Sequence, residues 1–134
     1  MIGGRESPLF SGEAGQGLLR GWLASIYQHV SFIDRSYSAY SSANNHLIGE
    51  AAGAFVGCCV WPNWGETAGW ARTAHRILER EARLQQSTDG VNREQAFSYQ
   101  QFVLDFLLSA ALVGEQSRMP FGREYWATIE RAGT

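Results

Sequence analysis

The sequence predicts an all-α protein of antiparallel helical hairpins. Apolar residues recur at three- and four-residue steps along most of the chain. No stretch alternates apolar and polar residues as a half-buried strand does. Short segments rich in Gly, Pro, Asn and Ser separate the periodic runs. At 134 residues, 45% of them hydrophobic, the chain is long enough for one domain with a sizeable core and too short for two. Residues 1–134 are read as a single domain.

The first helix is expected over 13–30, where Leu18, Leu19, Trp22, Leu23, Ile26, Tyr27 and Val30 form one apolar stripe. Residues 31–44 are rich in Ser, Tyr, Asp and Asn, lack a period, and read as an ordered loop. Asn44 or Asn45 then caps a second helix over 45–60. Its density of Gly and Ala lets neighbouring backbones approach closely, which marks it as central. Pro62 and the turn-forming Asn63-Trp64-Gly65 end it. A third helix over 66–86 directs Trp70, Ala74, Ile77, Leu78 and Leu84 inward, with Arg72, Arg76, Glu79, Arg80, Glu81 and Arg83 outward. The turn Ser87-Thr88-Asp89-Gly90 leads to a fourth helix over 95–114, whose centre is apolar nearly all round and so asks for burial on several sides. Pro120 and Gly122 interrupt the chain before a closing helix over 123–131. The fourth helix demands more neighbours than the others supply, as expected for part of a larger helical array.

Composition excludes several functions. Eleven basic against thirteen acidic residues give a net charge of -2 without runs of one sign, so a nucleic-acid footprint is absent. All the basic residues are Arg, which reads first as codon and genome bias and, where one faces a ligand, favours planar two-pronged contacts to carboxylate or sulfate. The adjacent Cys58 and Cys59 lie in an apolar run and read as small buried hydrophobes. His29, His46 and His75 are far apart and no zinc-ligand spacing exists, so no metal or other cofactor is expected. No apolar run reaches the length of a membrane span, and the N-terminus lacks the apolar core of a signal peptide.

Two polar clusters stand at the starts of apolar helices: Ser41-Ser42-Ala43-Asn44-Asn45-His46 and Glu94-Gln95-Ala96-Phe97-Ser98-Tyr99. Neither is needed to build a core. An Asn-His pair can bind and polarise an acidic group, and a Tyr can shuttle a proton, so together they suggest a reaction. Each also has a structural reading. Asn44 and Asn45 can cap a helix, Glu94 and Gln95 can favour the helix dipole, and Tyr99 can be a packed aromatic with its hydroxyl paired. His29 is read as structural, in the last turn of the first helix, and His75 as solvated.

Residues 42–53 (Ser-Ala-Asn-Asn-His-Leu-Ile-Gly-Glu-Ala-Ala-Gly), 89–95 (Asp-Gly-Val-Asn-Arg-Glu-Gln) and Ser98-Tyr99-Gln100 together resemble the heparinase II/III-like polysaccharide lyases, with the likeness extending over about residues 18–120. The resemblance implies that the chain is part of an incomplete (α/α) toroid, alginate-lyase-like in its hairpins. It further implies a C-terminal β-sandwich domain that this sequence lacks, an acidic polysaccharide in the cleft between the two, and a periplasmic or secreted location.

The implied chemistry is β-elimination at a uronic acid. The C5 proton becomes removable once the adjacent carboxylate is neutralised and the developing enolate-like charge is held by preorganised donors. By resemblance Asn45 neutralises the carboxylate, His46 binds or transfers a proton, and Tyr99 removes the C5 proton, protonates the leaving glycosidic oxygen, or does both. In the family a further histidine from the β-sandwich completes the site. Glu94, Gln95, Trp61 and Tyr40 are candidate substrate contacts, with packing between hairpins the competing role for Trp61, Trp64 and Tyr40. The alternative function is a non-catalytic helical carbohydrate-binding or interaction module.

Overall fold

A computed structural model describes residues 7–38, 43–86 and 96–133, of which 43, 44, 85, 86 and 96–100 are described as helical backbone alone. The protein is all-α, and the described residues contain no strand. A 3-10 turn, Pro8–Phe10, precedes five helices: α1 Gly12–Arg35, α2 Ala43–Val60, α3 Thr67–Gln86, α4 Ala96–Gln116 and α5 Arg123–Ala132.

Helix α2 is central, packed by α1, α3 and α4. Leu47, Ile48, Ala51, Ala52, Ala54, Phe55 and Cys58 are buried along one broad face that takes in nearly half of its circumference. Its glycines permit the close approaches. A Cβ on Gly57 would lie 3.1 Å from the Val30 methyl of α1, and one on Gly49 would lie 3.3 Å from the Phe106 ring of α4. The buried faces of α3 (Ala71, Ala74, Leu78, Ala82) and α4 (Val103, Leu107, Ala110, Ala111) complete the core with Phe121, Tyr125 and Ile129.

Helix α1 runs five residues past the end that the apolar stripe predicts. The polar residues expected to break it bond back to its own turns instead. The Arg35 guanidinium donates to the Ser31 hydroxyl, and the Ser36 hydroxyl donates to the Phe32 carbonyl at 2.6 Å. Only the second half of α1 lies along α2, antiparallel to it. Val30 is level with Gly57, and Ser38 with Glu50, whose carboxylate accepts from the Ser38 N–H at 2.9 Å and its hydroxyl at 2.8 Å. The first half of α1 therefore runs past the end of α2, leaving Leu18 and Trp22 exposed despite their place in the predicted stripe. There Phe10 is buried beneath the Trp22 ring edge. The chain crosses α1 so closely that a Cβ on Gly15 would lie 2.5 Å from the Phe10 carbonyl carbon.

Other expectations shift at helix margins. Glu81, expected outward, is buried and paired with Arg80 at 2.9 Å, whereas Leu84, expected inward, is exposed. Helix α4 is not covered all round: Phe102 is 64% and Leu112 52% exposed. Its inner face alone meets α2 and α5. The Phe32, Phe102 and Leu112 side chains are left facing outward on α1 and α4.

The 117–122 connection is fastened at both ends. Arg118 adopts φ +58°, and the Met119 N–H donates to the Gly114 carbonyl at 2.9 Å, closing α4 with a Schellman-type turn. This turn presses on Gly114, where a Cβ would meet the Met119 oxygen at 2.6 Å and the Phe121 ring at 3.1 Å. Backbone stands opposite, so the clash has no cheap relief. Gly114→Ala is expected to cost about 1–3 kcal/mol, read as a lower midpoint in urea unfolding at unchanged slope; an unchanged midpoint would refute the close approach.

Candidate functional site

Gly49 faces Phe106, and ten residues further along α2 the Cys59 thiol meets the Ser117 side chain. The contacts advance together along both helices, so α2 and α4 run parallel. Their N-terminal turns consequently lie at one end of the bundle. The positive ends of two helix dipoles face the same side there, an arrangement that favours an anion.

Asn45 and His46 stand in the first turn of α2, both exposed. The helix already includes Ala43, so Asn45 is inside the first turn and not at the cap position. Tyr99 is on the first turn of α4. The parallel packing thus brings the helical turns carrying Asn45, His46 and Tyr99 to the same end. Glu94, Gln95 and Tyr40 lie outside the described residues.

Trp61 is elsewhere. It follows the last residue of α2, roughly 24 Å from Asn45 at 1.5 Å per residue. There it borders an apolar groove of about 460 Å³ between α1, α2 and α4, lined also by Ile33, Val56 and Phe106. Trp64 packs between hairpins, 5.1 Å from the Tyr27 ring, which in turn lies 5.4 Å from Trp70.

His29 is not in a terminal turn, because α1 continues to Arg35. Its Nδ1 donates to the Ser25 carbonyl at 2.7 Å, and the ring lies on the rim of the same groove. His75 is not simply solvated. Its ring stacks on Phe121 at 4.2 Å with an interplanar angle of 13°, and Nε2 donates to the Pro120 carbonyl at 3.1 Å. Phe121 stacks in turn on Tyr125 at 4.1 Å. No sequence period announces this stack, because it joins α3 to a connection more than forty residues away.

Burial disables several other candidate groups. The Tyr37 phenol is pushed up by desolvation, with Asp34, Cys58 and Glu50 adding to the effect, and its hydroxyl has no hydrogen-bond partner among the described residues. The Tyr125 phenol is likewise raised by burial and then by Glu79. Neither can be a base near neutral pH. Burial pushes the Cys58 thiol up to about 12, with Cys59 and Asp34 contributing, so it stays protonated and unreactive. Among the described residues no group of His, Cys, Asp and Glu is arranged to hold a metal ion, and no helix is long and apolar enough to cross a membrane.

The fold and this end of the bundle define an all-helical protein that presents polar residues on parallel helix N-termini. The chain belongs to the family described as Heparinase II/III N-terminus, which matches residues 7–134. It is similar to a heparin-sulfate lyase of Bacteroides stercoris, with 28% identity over 127 residues. That alignment takes in 93% of this chain and 18% of the relative, so the chain spans under a fifth of the relative's length. No solved structure matches it.

Proposed function

We propose that this chain is the helical-toroid part of a polysaccharide lyase that cleaves uronic-acid-containing glycans by β-elimination. The observation carrying the reading is the parallel packing of α2 and α4, with Asn45 and His46 on one N-terminal turn and Tyr99 on the other. Family membership and similarity to a heparin-sulfate lyase support it. The outward apolar residues of α1 and α4 fit a toroid whose further hairpins cover them.

In this reading the uronate carboxylate lies over the two helix N-termini and takes a hydrogen bond from the Asn45 amide. That contact lowers the cost of the negative charge that builds as the C5–H bond breaks. His46 helps to hold the same group. Tyr99 accepts the C5 proton or protonates the departing oxygen as the C4–O bond breaks and the C4–C5 double bond forms. No water is consumed. A histidine from a following β-sandwich domain completes the site, and a periplasmic or secreted location suits the substrate.

Asn45→Ala in the full-length protein tests the assignment. Turnover of heparan sulfate or alginate, followed by the absorbance of the unsaturated uronate, is expected to fall about 10²–10³-fold, as for other single oxyanion donors. Melting temperature should barely move, because Asn45 is exposed. Unchanged turnover would sink the role given to Asn45. Acidic oligosaccharides bound but never cleaved by the wild type would identify a binding module instead.

A further inference from the structure

At the opposite end of α2 from Asn45, a cavity of about 420 Å³ opens on α3, lined by Gly69, Arg72, Thr73, His75, Arg76 and Met119. Arg72 and Arg76 are exposed and one helical turn apart, so two positive charges face the same space at a mutual electrostatic cost. No carboxylate of the described residues lies within ion-pair distance of either, whereas Arg80, one turn further on, is paired with Glu81. The Arg76 guanidinium donates to the Thr73 hydroxyl at 3.4 Å, and both line the cavity.

Glu79, the nearest carboxylate on this helix, is engaged elsewhere. It accepts from the Gly122 N–H at 2.7 Å. The wall itself is rigid, because His75 is held by its stack on Phe121 and its bond to Pro120. Beside it Gly69 leaves the mouth open, for a Cβ there would meet nothing within 4 Å.

We propose that Arg72, Thr73 and Arg76 form an anion-binding site for a sulfate or carboxylate group of an acidic polysaccharide, separate from the Asn45 end. The proposal rests on the reading of this chain as part of a protein acting on such polymers. Two guanidiniums present forked donors that match a tetrahedral or planar oxyanion, and the Thr73 hydroxyl adds a third donor. Lying more than half the length of α2 away from the first turn, the site would hold a distant stretch of the same polymer and raise the effective concentration of the rest at the Asn45 end.

The test is calorimetric titration of the full-length protein with inorganic sulfate, a sulfated heparin-derived oligosaccharide and an unsulfated uronate oligosaccharide. Combined Arg72→Gln and Arg76→Gln substitution is expected to weaken sulfated-oligosaccharide binding about tenfold or more and to flatten its salt dependence. Arg20→Gln, an exposed change on α1, should leave binding unchanged. An equal loss for the unsulfated chain shows that carboxylate suffices, and binding confined to sulfated probes shows sulfate recognition; either supports the site. Undiminished binding by the double variant, an equal loss in Arg20→Gln, or no binding by the wild type overturns it. Turnover plays no part in this readout, so its failure leaves the elimination reading standing, and a failed turnover test leaves the anion site standing.

Discussion

Tyr99→Phe in the full-length protein is expected to lower β-elimination about 10²–10⁴-fold, the usual contribution of a positioned acid or base. The substitution removes one hydroxyl and keeps the ring, so substrate affinity should change little and the loss should fall on kcat. Other described tyrosines cannot substitute. Tyr37 and Tyr125 are held protonated by burial, and the Tyr27 hydroxyl donates to Glu66 at 3.3 Å, beyond the far end of α2. An ordinary phenol titrates near 10, so a phenolate base must be activated by neighbouring positive charge. The first turn of a helix supplies some of that charge. If Tyr99 is the base, wild-type rates should climb with pH up to the activated value, and the Phe variant should lose that rise. The checks are the unsaturated-uronate absorbance for rate and calorimetry for affinity. Full turnover in Tyr99→Phe would remove Tyr99 from the mechanism.

The helical class was legible because each buried face is written at the helical period: Ala71, Ala74, Leu78 and Ala82 on α3 repeat every three or four residues. The central place of α2 was legible for a different reason, the glycines that only a crowded helix needs. What stayed hidden depends on partners distant in sequence. Trp22 and Leu18 follow the stripe perfectly, yet α1 overruns α2 and leaves them exposed. Ser31 and Ser36 suggest a break, yet the helix runs on to Arg35 with their hydroxyls bonded to Arg35 and the Phe32 carbonyl. The candidate site was readable as two polar clusters and by family likeness. Their common end follows from the parallel register of α2 and α4, which no local pattern encodes. The Arg72–Arg76 pair reads as an ordinary solvated face, because a cavity, and the lack of a carboxylate partner among the described residues, are properties of the folded surface.

Tyr125→Ala should have the largest effect on stability, about 3–5 kcal/mol, by analogy with other buried aromatic truncations. The Tyr125 side chain is fully buried where α5 meets α3 and α4. Its hydroxyl donates to the Leu107 carbonyl at 2.9 Å, and its ring ends the stack running from His75 through Phe121. Truncation therefore leaves a cavity, cuts a polar tie to α4 and loosens the ring beneath the 117–122 connection. Against a typical total of about 5–15 kcal/mol, that loss is a large share. Tyr125→Phe keeps the packing and should cost only about 1 kcal/mol, so urea midpoints of the two variants separate ring from hydroxyl. Equal midpoints for Ala and Phe would contradict the packing role. Leu107 is two helical turns beyond Tyr99 on α4, about 12 Å along the axis, a distance at which independent substitutions add. In the full-length protein the Phe change at Tyr99 should thus lower rate without lowering the midpoint, and the Ala change at Tyr125 should lower the midpoint while the folded fraction keeps its rate. A Tyr125→Ala variant that is fully folded yet slow would show that the α5 clamp also positions the N-terminal turn of α4.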